Sequence, residues 1–277
     1  MRLVLAALAL MLPAPAFAEC AMTDALLAQA YPKAQQGDNG LAVDGGGFQR
    51  AIQSEGVVCK AWPWRPGLML AAVPLLEAKP AEEGSNKGDV EILVTDRAGK
   101  PLARRLEPDM AYSDAIRFGD MALDTARYDI AEGLRAFGLR TNQSGSSRVN
   151  PYEEQALWLY TFDRGRIERV LDGLIVEHGL GENNGNCEGE YTTTKRTITP
   201  GPKTAARYRA LKVEQTETLD TSTLKGDECV SVERPGPSRQ FELVYDKGRY
   251  VLSGKARSTR CSPRSRSGSG EVVFQER

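Results

Sequence analysis

The sequence predicts a mainly β protein: antiparallel sheets built from hairpins, arranged as a sandwich or as a propeller-like set of small sheets, with one short helix near the start. Three observations carry that expectation. The runs VEILVTDRAGKPLARRL, LWLYTFDRGRIERVL and ELVYDKGRYVL each place an apolar alternating stretch before Asp, a basic residue and Gly, followed by a second stretch. The apolar residues recur with period two, the spacing of a strand, and not with the period of a helix. Helical spacing is confined to TDALLAQAYPKAQQ, where Leu26, Leu27 and Ala30 share a face, Thr23 supplies a cap and Pro32 interrupts the run.

Taken in order, residues 1–18, MRLVLAALALMLPAPAFA, have the layout of a secretory signal peptide: one cation at Arg2, an apolar run and a small-x-small cleavage site at Ala16-Phe17-Ala18. Glu19, bulky and charged, stands where a lipoprotein signal needs a small residue before Cys20, which argues against lipidation. Residues 19–64 form an expected N-terminal stapled segment, in which GDNGLAVDGGGFQR reads as turn chemistry around one short strand at most. A Trp- and Pro-punctuated corner, CKAWPWRPG, leads into a strand near Leu68–Glu77, because Pro63 and Pro66 forbid a helix. Residues 65–253 form the β domain, about ten to twelve strands in all. In LWLYTF, Leu157 and Leu159 alternate with Trp158, Tyr160 and Phe162, so both faces of that strand are apolar and both must be covered. The turns at Asp96, Asp163 and Asp246 are unevenly spaced, so no regular blade repeat is established. YTTTKRTIT, rich in Thr and alternating with charge, suits a half-exposed or edge strand, and TLDTSTLKGDEC a polar loop. Residues 254–277 form a basic tail with five cations and no acid between Lys255 and Arg266, in which EVVF could dock as a late strand.

The formal net charge of −1 gives no global field toward nucleic acid or an anionic membrane, and outside the signal no apolar run nears the roughly 20 residues of a membrane span. Five Cys in an exported chain imply disulfides with at least one Cys left over or paired with another chain. Pairing within each region joins Cys20 to Cys59 and Cys187 to Cys229 and leaves Cys261; each bridge is worth roughly 3–4 kcal/mol on loop-entropy grounds.

Candidate chemistry concentrates in EHGLGENNGNCEGE, which holds the only His, His178. Glu182, Asn184, Asn186, Glu188 and Glu190 offer hard oxygens that would suit calcium, though the EF-hand register is missing and the simpler reading is a wet, Gly-rich turn fixed by Cys187. A zinc site needs more imidazoles or clustered thiolates than this chain has. There is no G-x-S-x-G elbow, and the S-x-x-K match at Ser222–Lys225 lacks its companion motifs. No catalytic residue is therefore assigned. Trp62, Trp64 and Arg65 form an aromatic and cationic corner that reads as packing first and as a carbohydrate or peptide platform second. His178 joins them as a candidate binding residue.

Cys59-Lys60-x-Trp62-Pro63, DTARYDIAEGLRAFGLR, LWLYTFDRGRIERVL and CEGEYTTTKRTIT resemble a group of exported β-rich proteins of Gram-negative bacteria, over most of residues 59–253. The resemblance implies export and a β-fold and supplies no catalytic residue. The expected function is that of a periplasmic or secreted binding protein, of the inhibitor or immunity type, with a protein partner in the cell envelope. The alternatives are a carboxylate- or calcium-dependent hydrolase of envelope polymers and a passive structural component.

Overall fold

The computed structural model describes residues 23–45, 48–80, 85–203 and 207–253. The expected signal peptide, Cys20, Cys261 and residues 254–277, where the basic tail is expected, lie outside them. Helix α1 (Thr23–Ala30) precedes β1 (Gln35–Gly37), β2 (Gly40–Gly45), β3 (Phe48–Ile52), β4 (Val58–Ala61), β5 (Leu68–Glu77), β6 (Asp89–Asp96) and β7 (Pro101–Glu107). These strands form a seven-stranded antiparallel sheet in the order β1-β2-β3-β5-β6-β7, with β4 also paired to β5. Next come β8 (Ile116–Ala131), β9 (Leu134–Gly145), β10 (Tyr152–Asp163), β11 (Arg166–Asn183), β12 (Gly189–Pro200), β13 (Leu211–Lys225), β14 (Glu228–Pro235), β15 (Arg239–Asp246) and β16 (Arg249–Leu252). They build a nine-stranded antiparallel sheet in the order β16-β15-β13-β12-β11-β10-β9-β8, with β14 also on β13. Neither sheet closes into a barrel.

Burial explains the strands that read as wholly apolar. From β5, Leu70 and Ala72 face the second sheet, where they meet Phe137, Leu139, Tyr160 and Phe162, while Ala71, Val73 and Leu75 face α1. From β10, Tyr160 and Phe162 join that inter-sheet core, and Leu157 and Leu159 enter a separate core within the second sheet, with Leu171, Leu211, Val213 and Leu243. Each central strand thus buries side chains on both faces, at roughly 25 cal/mol per Å² of apolar surface withdrawn from water.

The three hairpins stand where the Asp-to-Gly pattern places them. At the first, Asp96 Oδ1 accepts from Ala98 N (2.9 Å) and Lys100 N (3.0 Å), and Gly99 takes a positive φ of 84°. The other two turn on Arg164-Gly165 and Lys247-Gly248, with φ of 48° and 76°, and 43° and 95°. Two positive φ values in succession suit the right-handed twist of the flanking strands.

Other segments differ from expectation. The described residues form sixteen strands, because GDNGLAVDGGGFQR contributes to three of them and TLDTSTLKGDEC forms a hairpin of β13 and β14 turning at Gly226. Gly and Asp there mark tight connections between short strands instead of one long loop. The Thr-rich segment is β12, half-exposed as one of the two expectations had it and not an edge, since it is hydrogen-bonded on both sides. The first sheet also runs across the expected boundary between residues 64 and 65, because β3 and β4 both pair with β5.

Candidate functional site

Strand β11 shapes a cleft between the two sheets. Its register against β10 shifts at three places between Gln155 and Tyr160. Each extra residue bends and twists the bulged strand. As a result Glu177–Leu180 pairs with both β10 and β12 and Gly181–Asn183 with β12, whereas Arg166–Ile175 pairs with β10 alone. β7 and β16 each end a sheet and lie alongside that unpaired stretch. Among the described residues, three strand edges therefore meet around one cleft of about 980 Å³, with the exposed Leu106 and Leu252 in its lining.

The cleft wall is ionic and internally paired. Glu107, 2% exposed, accepts from Arg105 Nε and from Arg169 (2.7 Å). Arg169 also reaches Asp172 (2.5 Å), and Asp172 meets Arg249 from β16 (3.2 Å). Arg169 lies over the Trp158 ring at 5.4 Å, and the Trp158 indole N–H donates to Thr141 Oγ1 (3.1 Å). Charge-assisted pairs of this kind fix geometry, because a buried carboxylate without its arginines would be strongly unfavourable. Burial, and then the nearby Glu107 carboxylate, push the Tyr160 phenol well above its ordinary pKa, and its hydroxyl has no hydrogen-bond partner among the described residues.

Glu154, also in the lining, is 7% exposed and makes no ion pair among the described residues; it accepts from the Tyr152 hydroxyl (2.6 Å). His178 stands opposite it in register, on β11 and not in a loop, and packs edge-on against Tyr152 at 5.4 Å. Burial holds the imidazole below its ordinary pKa; Glu154 opposes that shift and Arg196 adds to it. Arg196 itself bonds the side chain of Gln215 (2.8 Å) and the carbonyl of Ile175 (2.6 Å). The result is a polar row running from the cleft into the second sheet.

The five candidate calcium ligands fall at the tip of the β11–β12 hairpin. Glu182 pairs directly with Glu190, Asn184 donates to Glu188 (3.1 Å), and Asn184 Oδ1 accepts from Asn186 N (3.0 Å). The oxygen of Asn184 is thus already used to turn the chain, and no group of three or more His, Cys, Asp or Glu side chains is placed to hold a metal among the described residues. Cys187 and Cys229 are joined, with Cα atoms 5.6 Å apart, which staples this tip to β14. Cys59 is disulfide-bonded, and the expected pairing with Cys20 lies outside the described residues.

The Trp/Pro corner divides. Trp62, 3% exposed, packs edge-on against Phe137 (5.2 Å) and near Phe162 (6.1 Å). Trp64 is 41% exposed, donates to the Thr125 carbonyl (2.9 Å) and carries Arg135 and Arg127 over its ring at 4.4 and 5.2 Å. Arg65 lies over Trp62 and Phe162 at 5.2 and 5.3 Å. Sequence reasoning missed Glu107, Arg169 and Asp172, which the fold gathers from β7 and β11. The one local hint is alternation, since Ala103, Arg105 and Glu107 share the inward face of β7.

No protein-family model, curated protein or solved structure matches this chain.

Proposed function

We propose that this protein is an exported binding protein of the inhibitor or immunity type, which captures an extended segment of a partner protein in the cleft between β7, β11 and β16. The observation that carries the reading is the convergence of three unpaired strand edges on one cleft. Unpaired backbone donors and acceptors are a template for an added strand, and flanking side chains then select its sequence. The charges of the wall are largely satisfied by one another, so recognition rests on backbone hydrogen bonds, shape and the apolar rim of Leu106 and Leu252. Disulfide-bonded Cys59, Cys187 and Cys229 are compatible with an oxidising compartment outside the cytosol.

The ladder supplies a sharp test. Ser253 N donates to Glu242 O (2.9 Å), so by alternation the amide of Leu252 points away from β15, toward the free edge. Leu252→Pro removes that outward donor and leaves the β15–β16 ladder intact. Immobilised wild-type protein is expected to retain an envelope polypeptide at micromolar concentration that Leu252→Pro releases. No retained polypeptide, or equal retention by both forms, contradicts the reading.

One observation favours the hydrolase reading: Glu154 is a buried cleft carboxylate without an arginine. Carboxylate-based hydrolysis needs a second acid able to trade or deliver a proton, and Glu107 and Asp172 are each engaged by two arginines. Binding is the better-supported function.

A further inference from the structure

Away from the β7–β16 cleft, a second cleft of about 740 Å³ opens beside residues 62–66, the β8–β9 turn, Lys203 and Arg209. Its arginines have a different environment. Asp129 is taken by Arg135 (2.5 Å) and Glu132 by Lys203 (3.9 Å). Arg65 and Arg209, which line it, have no carboxylate within ion-pair distance among the described residues, and neither has Arg127, which stacks on the lining residue Trp64. Arg65 and Arg127 rest on aromatic rings, and the Nε of Arg209 is buried with no hydrogen-bond partner among the described residues. An aromatic face holds a guanidinium in place without consuming its N–H donors.

The backbones that present them are fixed. Arg65 N donates to Trp62 O (3.2 Å) and Leu68 N to Arg65 O (3.0 Å), within a turn closed by Gly67 at φ 94°. Arg209 N donates to Ile130 O (2.7 Å), and its carbonyl accepts from the Tyr250 hydroxyl (2.8 Å).

We infer that this cleft binds a phosphate group. Two lining guanidinium groups with spare donors, and a third stacked on Trp64 beside them, suit a phosphate, which carries one negative charge as a diester or nearly two as a monoester and several acceptor oxygens, better than a single carboxylate; Arg matches phosphate through paired N–H bonds. The phosphate can belong to a lipid headgroup or to a soluble phosphorylated molecule. The site is independent of the strand-edge cleft and of its partner.

The experiment titrates full-length protein with inorganic pyrophosphate and, separately, with vesicles of phosphatidylglycerol or of phosphatidylcholine alone. Wild-type protein is expected to bind pyrophosphate, or phosphatidylglycerol vesicles and not phosphatidylcholine ones, and to bind more weakly as salt rises. Binding to pyrophosphate assigns a soluble ligand; binding only to anionic vesicles assigns a headgroup. The double variant Arg65→Gln/Arg209→Gln should lose at least tenfold in affinity with an unchanged thermal midpoint. Both forms keep the basic tail, so vesicle binding carried by the tail would persist in the variant and overturn the proposal. Absence of binding to either probe at millimolar phosphate would overturn it too. If the double variant unfolds, Arg65→Lys keeps the charge and loses the paired donors; a several-fold weakening supports the site, and undiminished binding contradicts it.

Discussion

The two clefts of this molecule use the same side chain in opposite ways. Around β7, β11 and β16, Arg105, Arg169 and Arg249 are spent on Glu107 and Asp172, and what is left unpaired is backbone. At the loop end, Arg65, Arg127 and Arg209 lie on rings or in a backbone frame, and what is left unpaired is charge. The comparison teaches that the partner of an arginine, more than its presence, decides whether it holds a fold together or waits for a ligand. It also separates two kinds of recognition. Strand addition at the first cleft should depend weakly on ionic strength, whereas anion capture at the second should fade as the Debye length shortens to about 3 Å near 1 M salt.

The largest effect is expected at the floor of the loop-end cleft. Trp62→Ala removes a ring packed against Phe137 and Phe162 and should cost about 3–5 kcal/mol in urea unfolding. Trp64→Ala, at an exposed ring two residues on, should cost under about 1 kcal/mol and still weaken phosphate binding, because it frees Arg127 and Arg135 to move. Equal costs would erase the distinction between a packing and a presenting tryptophan.

Replacing both Cys187 and Cys229 by Ser should lower stability by about 2–4 kcal/mol while leaving retention of a partner at the β7–β16 cleft intact. Loss of retention would move the recognition site to the stapled hairpin tip. Glu107→Gln sharpens the charge argument. It leaves Arg105 and Arg169 without their anion, and because both are about 30% exposed the cost should be about 2 kcal/mol, below the ~3–5 of a fully buried pair. A neutral result would mean that the paired wall contributes nothing to the fold.

The smallest effect is a pH dependence. His178 has a lowered pKa in the folded state, so between that value and its ordinary value near 6.5 the unfolded chain binds more protons. Stability should therefore rise with pH through this window and fall as pH drops, and His178→Gln should flatten the slope in that range. A slope unchanged by the substitution would show that other groups set the acid limb.

Much of this architecture was legible in the residues, for identifiable reasons. LWLYTF is apolar on both faces, and β10 is indeed covered on both. Asp-Arg-Gly and Asp-Lys-Gly marked their turns because few other sequences accept two successive positive φ values. Cys187 with Cys229 followed from regional pairing. The cleft was not legible. Its edges stay unpaired because bulges in β11 bend one strand away from its neighbour; the one residue of RVLDGLIVEH that marks them, Gly173 at a positive φ of 57°, does not by itself say which edge is left open. Glu107 and Arg169, 62 residues apart, meet only once both sheets are assembled. Arg65 was noticed for its neighbours, yet nothing in its local sequence showed that it would lack an acid while Arg135 gained one.

Amide hydrogen exchange along β16 with a retained partner bound tests the strand-capture claim most directly. The outward amide of Leu252 should exchange markedly more slowly in the complex, while the inward amide of Val251, already engaged with β15, changes little. Unchanged exchange at Leu252, with new protection confined to loops, would contradict capture by strand addition.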